Sequence, residues 1–278
     1  MKKIELLSPV GNMDCMRAAV QNGADAVYFG SGFSARAFAS NFDGDDLKCA
    51  IEYAKLRGVQ THLTLNTLIK NDEFENAFSV AQMAYNYGID AIIVQDLGLA
   101  NLLINSFPNI AIHASTQLTA HNLDGVLSLQ DMGFRRVVLS RELSLPEIEH
   151  ICKNSNVEIE VFVHGALCIS YSGQCLFSSM VGGRSGNRGK CAQPCRLPYE
   201  LTNQSEVFDK GYLLSPRDLC GLEYLPQLVK AGVSCLKIEG RMKTPEYVAT
   251  VTRIYRKYLD LAKSTESNKL YKIDVQDK

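Results

Sequence analysis
Short runs of β-branched and aliphatic residues alternate along the chain with longer stretches whose apolar positions recur every three to four residues. Strand followed by helix is predicted at 4–8 and 13–21, 26–30 and 45–56, 59–66 and 72–87, 91–96 and 98–105, 110–115 and 123–132, and 136–141 and 145–153. A seventh strand at 157–164 is followed, after a long interruption, by a helix at 222–230, an eighth strand at 235–240 and a last helix at 245–262. Gly23, Gly58, Gly88, Gly133 and Gly232 fall where helices must close in a left-handed residue. Repeated strand–helix units require parallel pairing, so the fold class is α/β and the expected architecture is a TIM-type (β/α)8 barrel. An open doubly wound sheet gives the same local pattern, but no GxGxxG follows the first strand and no GxxxxGK[ST] occurs. The expected organisation is one barrel domain over 1–263, a cysteine-rich insertion at about 165–220 between strands seven and eight, and a polar tail at 264–278, frayed or a linker.

Composition adds little to the fold but narrows the partners. With 278 residues, 46% of them hydrophobic, the chain can bury a large core. Lys plus Arg is 29 against 30 Asp plus Glu, so any hold on nucleic acid must come from a local patch. Such a patch exists: residues 161–199 contain no Asp or Glu, while Arg184, Arg188, Lys190 and Arg196 cluster in GGRSGNRGKCAQPCR. Glycine-freed N–H groups and guanidinium forks suit phosphate oxygens, although a solvated loop would look the same. No apolar run approaches the roughly 18–20 residues of a membrane span, and the start lacks the apolar core of a leader, so a cytoplasmic protein without a membrane partner is expected.

Barrel chemistry sits at the C-terminal ends of the strands. Those ends carry Asn66, residues 113–117, Arg141, His164, and Lys237, Glu239 and Arg241. Polar strand ends are ordinary, because the chain leaves the core there. Lys237 and Glu239, however, alternate with Leu236 and Ile238 and so share one side of strand eight. Inward charges need partners.

Five of the nine cysteines fall within one stretch, spaced Cys168-x6-Cys175-x15-Cys191-x3-Cys195-x24-Cys220. A zinc ribbon needs two tight pairs and only Cys191 and Cys195 make one. Iron–sulfur ligation tolerates irregular spacing. A Cys168 nucleophile activated by His164 or His113 is a third reading, and leaves four thiols unexplained.

The segment 160–178, EVFVHGALCISYSGQCLFS, closely resembles the signature of the U32 peptidase family, the collagenase-like proteases. ELLSPVGN, GADAVYFG, NRGKCAQPCR, SPRDLC and LKIEGRMKTPEYV support it in order across residues 4–260. The resemblance implies a TIM-type barrel with an inserted cysteine region, and a 4Fe-4S cluster in several members. Relatives hydroxylate tRNA wobble uridine or a ribosomal RNA cytidine, or serve oxygen-independent ubiquinone hydroxylation, with prephenate as the implicated hydroxyl source. It therefore implies oxygen-independent RNA hydroxylation, wobble uridine to 5-hydroxyuridine, with tRNA or another structured RNA and a homologous subunit as partners. A collagenase-like peptidase and a non-catalytic iron–sulfur or RNA-binding scaffold are the alternatives. By position the cluster ligands would be Cys168, Cys175 and Cys191, with Cys220 as the fourth and Cys195 as its rival; zinc can replace the cluster in aerobic preparations. His164, Lys237 and Glu239 are the expected proton-handling residues. Arg141, Arg184, Arg188 and Arg241 are the expected clamps for donor carboxylates or RNA phosphates.

Overall fold
A computed structural model describes residues 4–35, 41–203, 206–264 and 271–277. Eight parallel strands close on themselves: β1 (Glu5–Pro9), β2 (Ala26–Gly30), β3 (Gln60–Leu65), β4 (Ala91–Val94), β5 (Ala111–Ala114), β6 (Arg136–Val138), β7 (Glu158–Gly165) and, after the long connection, a strand at Cys235–Ile238 that pairs with both β7 and β1. This is the expected barrel. β1, β2 and β4 are buried at every position, which is why they read as unbroken apolar runs rather than as alternation.

The helices between them are α1 (Met13–Gln21), α2 (Gly44–Lys55), α3 (Phe74–Tyr87), α4 (Leu97–Ser106), α5 (Leu123–Asp131) and α6 (Leu145–Asn154). Their starts are encoded locally: Asn12, Asp96 and Asn122 accept backbone N–H groups of α1, α4 and α5, and Ser144 with Glu147 forms a capping box on α6. All five glycines expected to close helices have positive φ.

The connection after β7 carries α7 (Phe177–Gly182), an exposed antiparallel hairpin of β8 (Tyr199–Asn203) and β9 (Glu206–Gly211), and the short β10 (Leu219–Cys220), antiparallel to β7. Next come α8 (Leu225–Ala231), the eighth barrel strand Cys235–Ile238, hereafter β11, and α9 (Pro245–Ser264). Described tail residues pack back on this end, where Tyr271 Oη donates to the Leu222 carbonyl at 2.8 Å and Asp274 and Asp277 pair with Lys257. Residues 265–270 and 278 of the expected tail lie outside the described part.

Two apolar clusters follow from strand alternation. Leu6, Val27, Phe29, Leu63, Val161 and Leu236 face the helices in the main core. Leu7, Ala26, Tyr28, Ile93 and Cys235 face inward. The interior also carries buried charges: Arg136 Nη1 lies 2.6 Å from Glu5 and 3.3 Å from Glu160, and Lys237 Nζ lies 2.8 Å from Glu160. The rings of His62 and His113 meet edge to face at 5.0 Å, and burial pushes both imidazoles below their usual range, toward the neutral form.

Candidate active site at the barrel mouth
The insertion folds back over the C-terminal ends of the strands and encloses a cavity of about 150 Å³. Named contacts hold this roof down. Leu68 N–H donates to the Asn187 carbonyl at 3.2 Å, and Arg188 grips both Glu73 oxygens and the Leu68 carbonyl. That guanidinium holds the Glu73 carboxyl down to about 2. On the other side Thr119 Oγ1 donates to the Ser172 carbonyl at 2.8 Å, and Ser172 N–H donates to Glu142 at 2.7 Å. Arg196 donates to Leu167 and Pro216 carbonyls, tying the two ends of the insertion together.

The floor comes from barrel strands. Lys237 reaches Glu160 below and lies 4.5 Å from the centre of the Tyr28 ring. Arg141 stacks on Phe162 at 4.1 Å, donates to the Ala166 carbonyl, and approaches Glu239 at 3.8 Å. Arg241 is buried and donates to the hydroxyls of Ser34 and Thr64. Tyr28 Oη donates to the Ile238 carbonyl at 2.9 Å and faces Glu239 at 3.4 Å. Burial, reinforced by Glu239, pushes the Tyr28 phenol well above its usual range, so it stays a donor. Lys237, Glu239, Arg141 and Arg241 thus all line one cavity, as strand-end reading expects.

Other expected residues lie elsewhere. His164 is absent from the cavity lining. Its Nδ1 lies 3.3 Å from Tyr255 Oη and its ring packs on Tyr247 and Tyr255 of α9. A register shift between β11 and β7 is the reason: Lys237 pairs with Phe162, but Ile238 pairs with His164, so a bulge turns His164 to the helix side. Arg188 is consumed by Glu73, and Arg184 is exposed with Nε on the Lys190 carbonyl, so neither lines the cavity. Arg196, read only as part of the basic patch, does line it.

Among the thiols, Cys168, Cys175, Cys191 and Cys195 line the cavity wall. Burial pushes the Cys195 thiol up, Arg196 opposes this, and Cys168, Cys191 and Cys175 add to it, so the four sulfurs lie within electrostatic reach of one another. Cys220 is not among them: on β10 it pairs in register with His164, and the groups that feel it are Tyr255 and Tyr271. The cavity lining thus brings Cys195, and not Cys220, together with Cys168, Cys175 and Cys191. Gln193 N–H donates to Cys191 Sγ at 3.3 Å. Among the described residues no three His, Cys, Asp or Glu side chains converge as a single metal ion would need.

The fold and site define a TIM-type barrel whose mouth combines a thiol-lined wall with a cationic floor. The chain belongs to peptidase family U32, whose family model matches residues 11–278. It is 44% identical over 261 residues to the 23S rRNA 5-hydroxycytidine C2501 synthase of Escherichia coli (strain K12), covering 93% of this chain and 39% of that protein. It is 37% identical over 268 residues to the tRNA hydroxylation protein P1 of Bacillus subtilis (strain 168), covering 93% of this chain and 64% of that protein. The chain thus spans less than two thirds of either relative. A solved U32 peptidase shares the fold, with a TM-score of 0.53 at 12% identity over 86% of this chain and 94% of that one. Among the described residues no helix is long and apolar enough to cross a membrane.

Proposed function
We propose that this chain hydroxylates RNA, with tRNA wobble uridine as the first candidate, and that Cys168, Cys175, Cys191 and Cys195 hold a 4Fe-4S cluster at the barrel mouth. The observation that carries the reading is one cavity whose wall holds four thiols and whose floor holds Lys237, Arg141 and Arg241. The names of two relatives, an rRNA hydroxycytidine synthase and a tRNA hydroxylation protein, support RNA as the substrate class. Bound there, a cluster would supply one-electron redox chemistry.

The chain's own residues then bind, orient and move protons. Arg141 and Arg241 present planar forks to the carboxylates of a donor such as prephenate, and Lys237 adds a point charge between them. Stacking on Phe162 fixes the Arg141 plane. Glu239, within reach of Arg141 and Tyr28, is the candidate to accept or return a proton, since no histidine lines the cavity among the described residues. That same feature weighs against the peptidase reading suggested by the family name, because Cys168 has no imidazole in the cavity to take its proton.

The test is iron and acid-labile sulfide after anaerobic purification, beside a Cys168→Ala, Cys175→Ala double variant. Near four irons per chain, lost in the variant, is expected from a single cubane cluster. Hydroxyuridine or hydroxycytidine should then form in RNA only when prephenate is supplied. Absence of iron from both proteins overturns the cluster, and gelatin cleavage without iron would favour a peptidase.

A further inference from the structure
Gln117 lines the cavity on a 3-10 turn (Thr116–Leu118) that follows β5, and its backbone is fixed from two sides. Its N–H donates to Ser115 Oγ at 3.2 Å. From the roof Gly173, at φ +76°, presses so close that a Cβ there would lie 2.9 Å from the Gln117 carbonyl carbon. Yet the side-chain amide of Gln117 forms no hydrogen bond with any described residue, whereas the amide of Asn66 in the same wall is used, accepting from Ala35 N–H at 2.9 Å and donating to Ser115 at 3.3 Å. A half-buried amide on a clamped backbone, left without a partner, suits a ligand that brings its own donor and acceptor side by side. Tyr171, two residues before Gly173, also lines the cavity and is 62% exposed, its ring tilted against His121 at 6.3 Å and otherwise open at the rim.

We infer that Gln117 is a specificity-determining residue that reads the hydrogen-bonding edge of an unstacked pyrimidine entering over Tyr171. The inference rests on the RNA reading above. A primary amide pairs with the N3–H and O4 of uracil, or, rotated, with the N3 and N4 amino group of cytosine, while an aromatic ring supports the base face. Phosphates would be held elsewhere on the roof, so base and backbone contributions separate.

The test measures fluorescence anisotropy of labelled hexauridylate, hexacytidylate and an abasic hexamer against wild type and Gln117→Leu, each checked for equal melting temperature. Wild type should bind the two base-bearing hexamers more tightly than the abasic one. Gln117→Leu should weaken them about tenfold, the loss of one or two hydrogen bonds, while leaving the abasic hexamer unchanged. Unchanged binding of all three by the variant, or equal weakening of all three, overturns the role of Gln117. Failure of wild type to bind any hexamer overturns the RNA reading itself, and this inference with it.

Discussion

Glu160 is the hinge of the charged barrel interior, and its replacement by Gln is the perturbation with the largest expected effect on stability. Its side chain is fully buried, with one oxygen 2.8 Å from Lys237 and the other 3.3 Å from Arg136. Burial alone would raise this carboxyl, but Lys237 and then Arg136 outweigh it and hold it down from 4.5 to about 2. That depression corresponds to about 3 kcal/mol of stability, within the roughly 3–5 kcal/mol typical of breaking one side of a buried pair. Glu160→Gln leaves the Lys237 ammonium, among the described residues, facing a neutral amide and the Tyr28 and Phe162 rings with no countercharge from position 160, whereas Arg136 keeps Glu5 and Glu158.

The reverse change should be milder. Lys237→Met leaves Glu160 still facing Arg136, at a cost of about 1–3 kcal/mol. The double variant Glu160→Gln, Lys237→Met removes both charges and should be more stable than Glu160→Gln alone. Urea unfolding of the four proteins reads the coupling directly. Because the folded carboxyl titrates below the unfolded one, the pair's contribution is complete above pH 4.5 and is lost as pH falls through about 2. The gap between wild type and Glu160→Gln should close over that window. A Glu160→Gln protein within about 0.5 kcal/mol of wild type, or strictly additive single changes, would refute the reasoning.

Three further outcomes are expected. Arg141→Lys and Arg241→Lys should fold normally but lose donor use by tenfold or more, since an ammonium offers no fork and stacks poorly; nucleoside analysis at limiting prephenate reads this, and unchanged product removes both from donor binding. Cys195→Ser should reduce iron per chain sharply while Cys220→Ser retains it, and the opposite order in anaerobic iron analysis would return the fourth position to Cys220. His164→Phe should leave turnover unchanged and cost about 1 kcal/mol or less for its 3.3 Å contact with Tyr255, whereas abolished turnover would restore His164 to the reaction.

Much of the barrel was legible because its strands are buried on both faces and its helices carry their own caps. The expected strand at 26–30 and the observed Ala26–Gly30 coincide, and the strand-end residues Arg141, Lys237, Glu239 and Arg241 do meet. What escaped lacks a local signal. The β8–β9 hairpin is exposed along nearly all of its length, so no core face imprints alternation on it. Arg188 looked like a phosphate ligand because its partner Glu73 lies 115 residues away, and Lys237 had no visible partner because Glu160 lies 77 residues away. His164 was misdirected by a bulge, which shifts a strand's facing by one residue without altering its composition.

The polar interior also bears on why the site is cationic at the floor. Glu5, Arg136, Glu160 and Lys237 balance one another below the mouth, and the neutral imidazoles of His62 and His113 add no charge. Lys237 is therefore held upright by a carboxylate beneath it, leaving Arg141, Arg241 and Arg196 to face the cavity with Glu239 as the only carboxylate among the described residues of its lining. On the proposed function, a dianionic donor entering such a cavity would gain from several fixed cations, while the thiol wall lies on the insertion. With the proposed anion site on rigid strands and the thiols on the latched insertion, one side would bind and the other react. Loosening the Arg188 to Glu73 latch would accordingly disturb the thiol wall before it disturbed the floor.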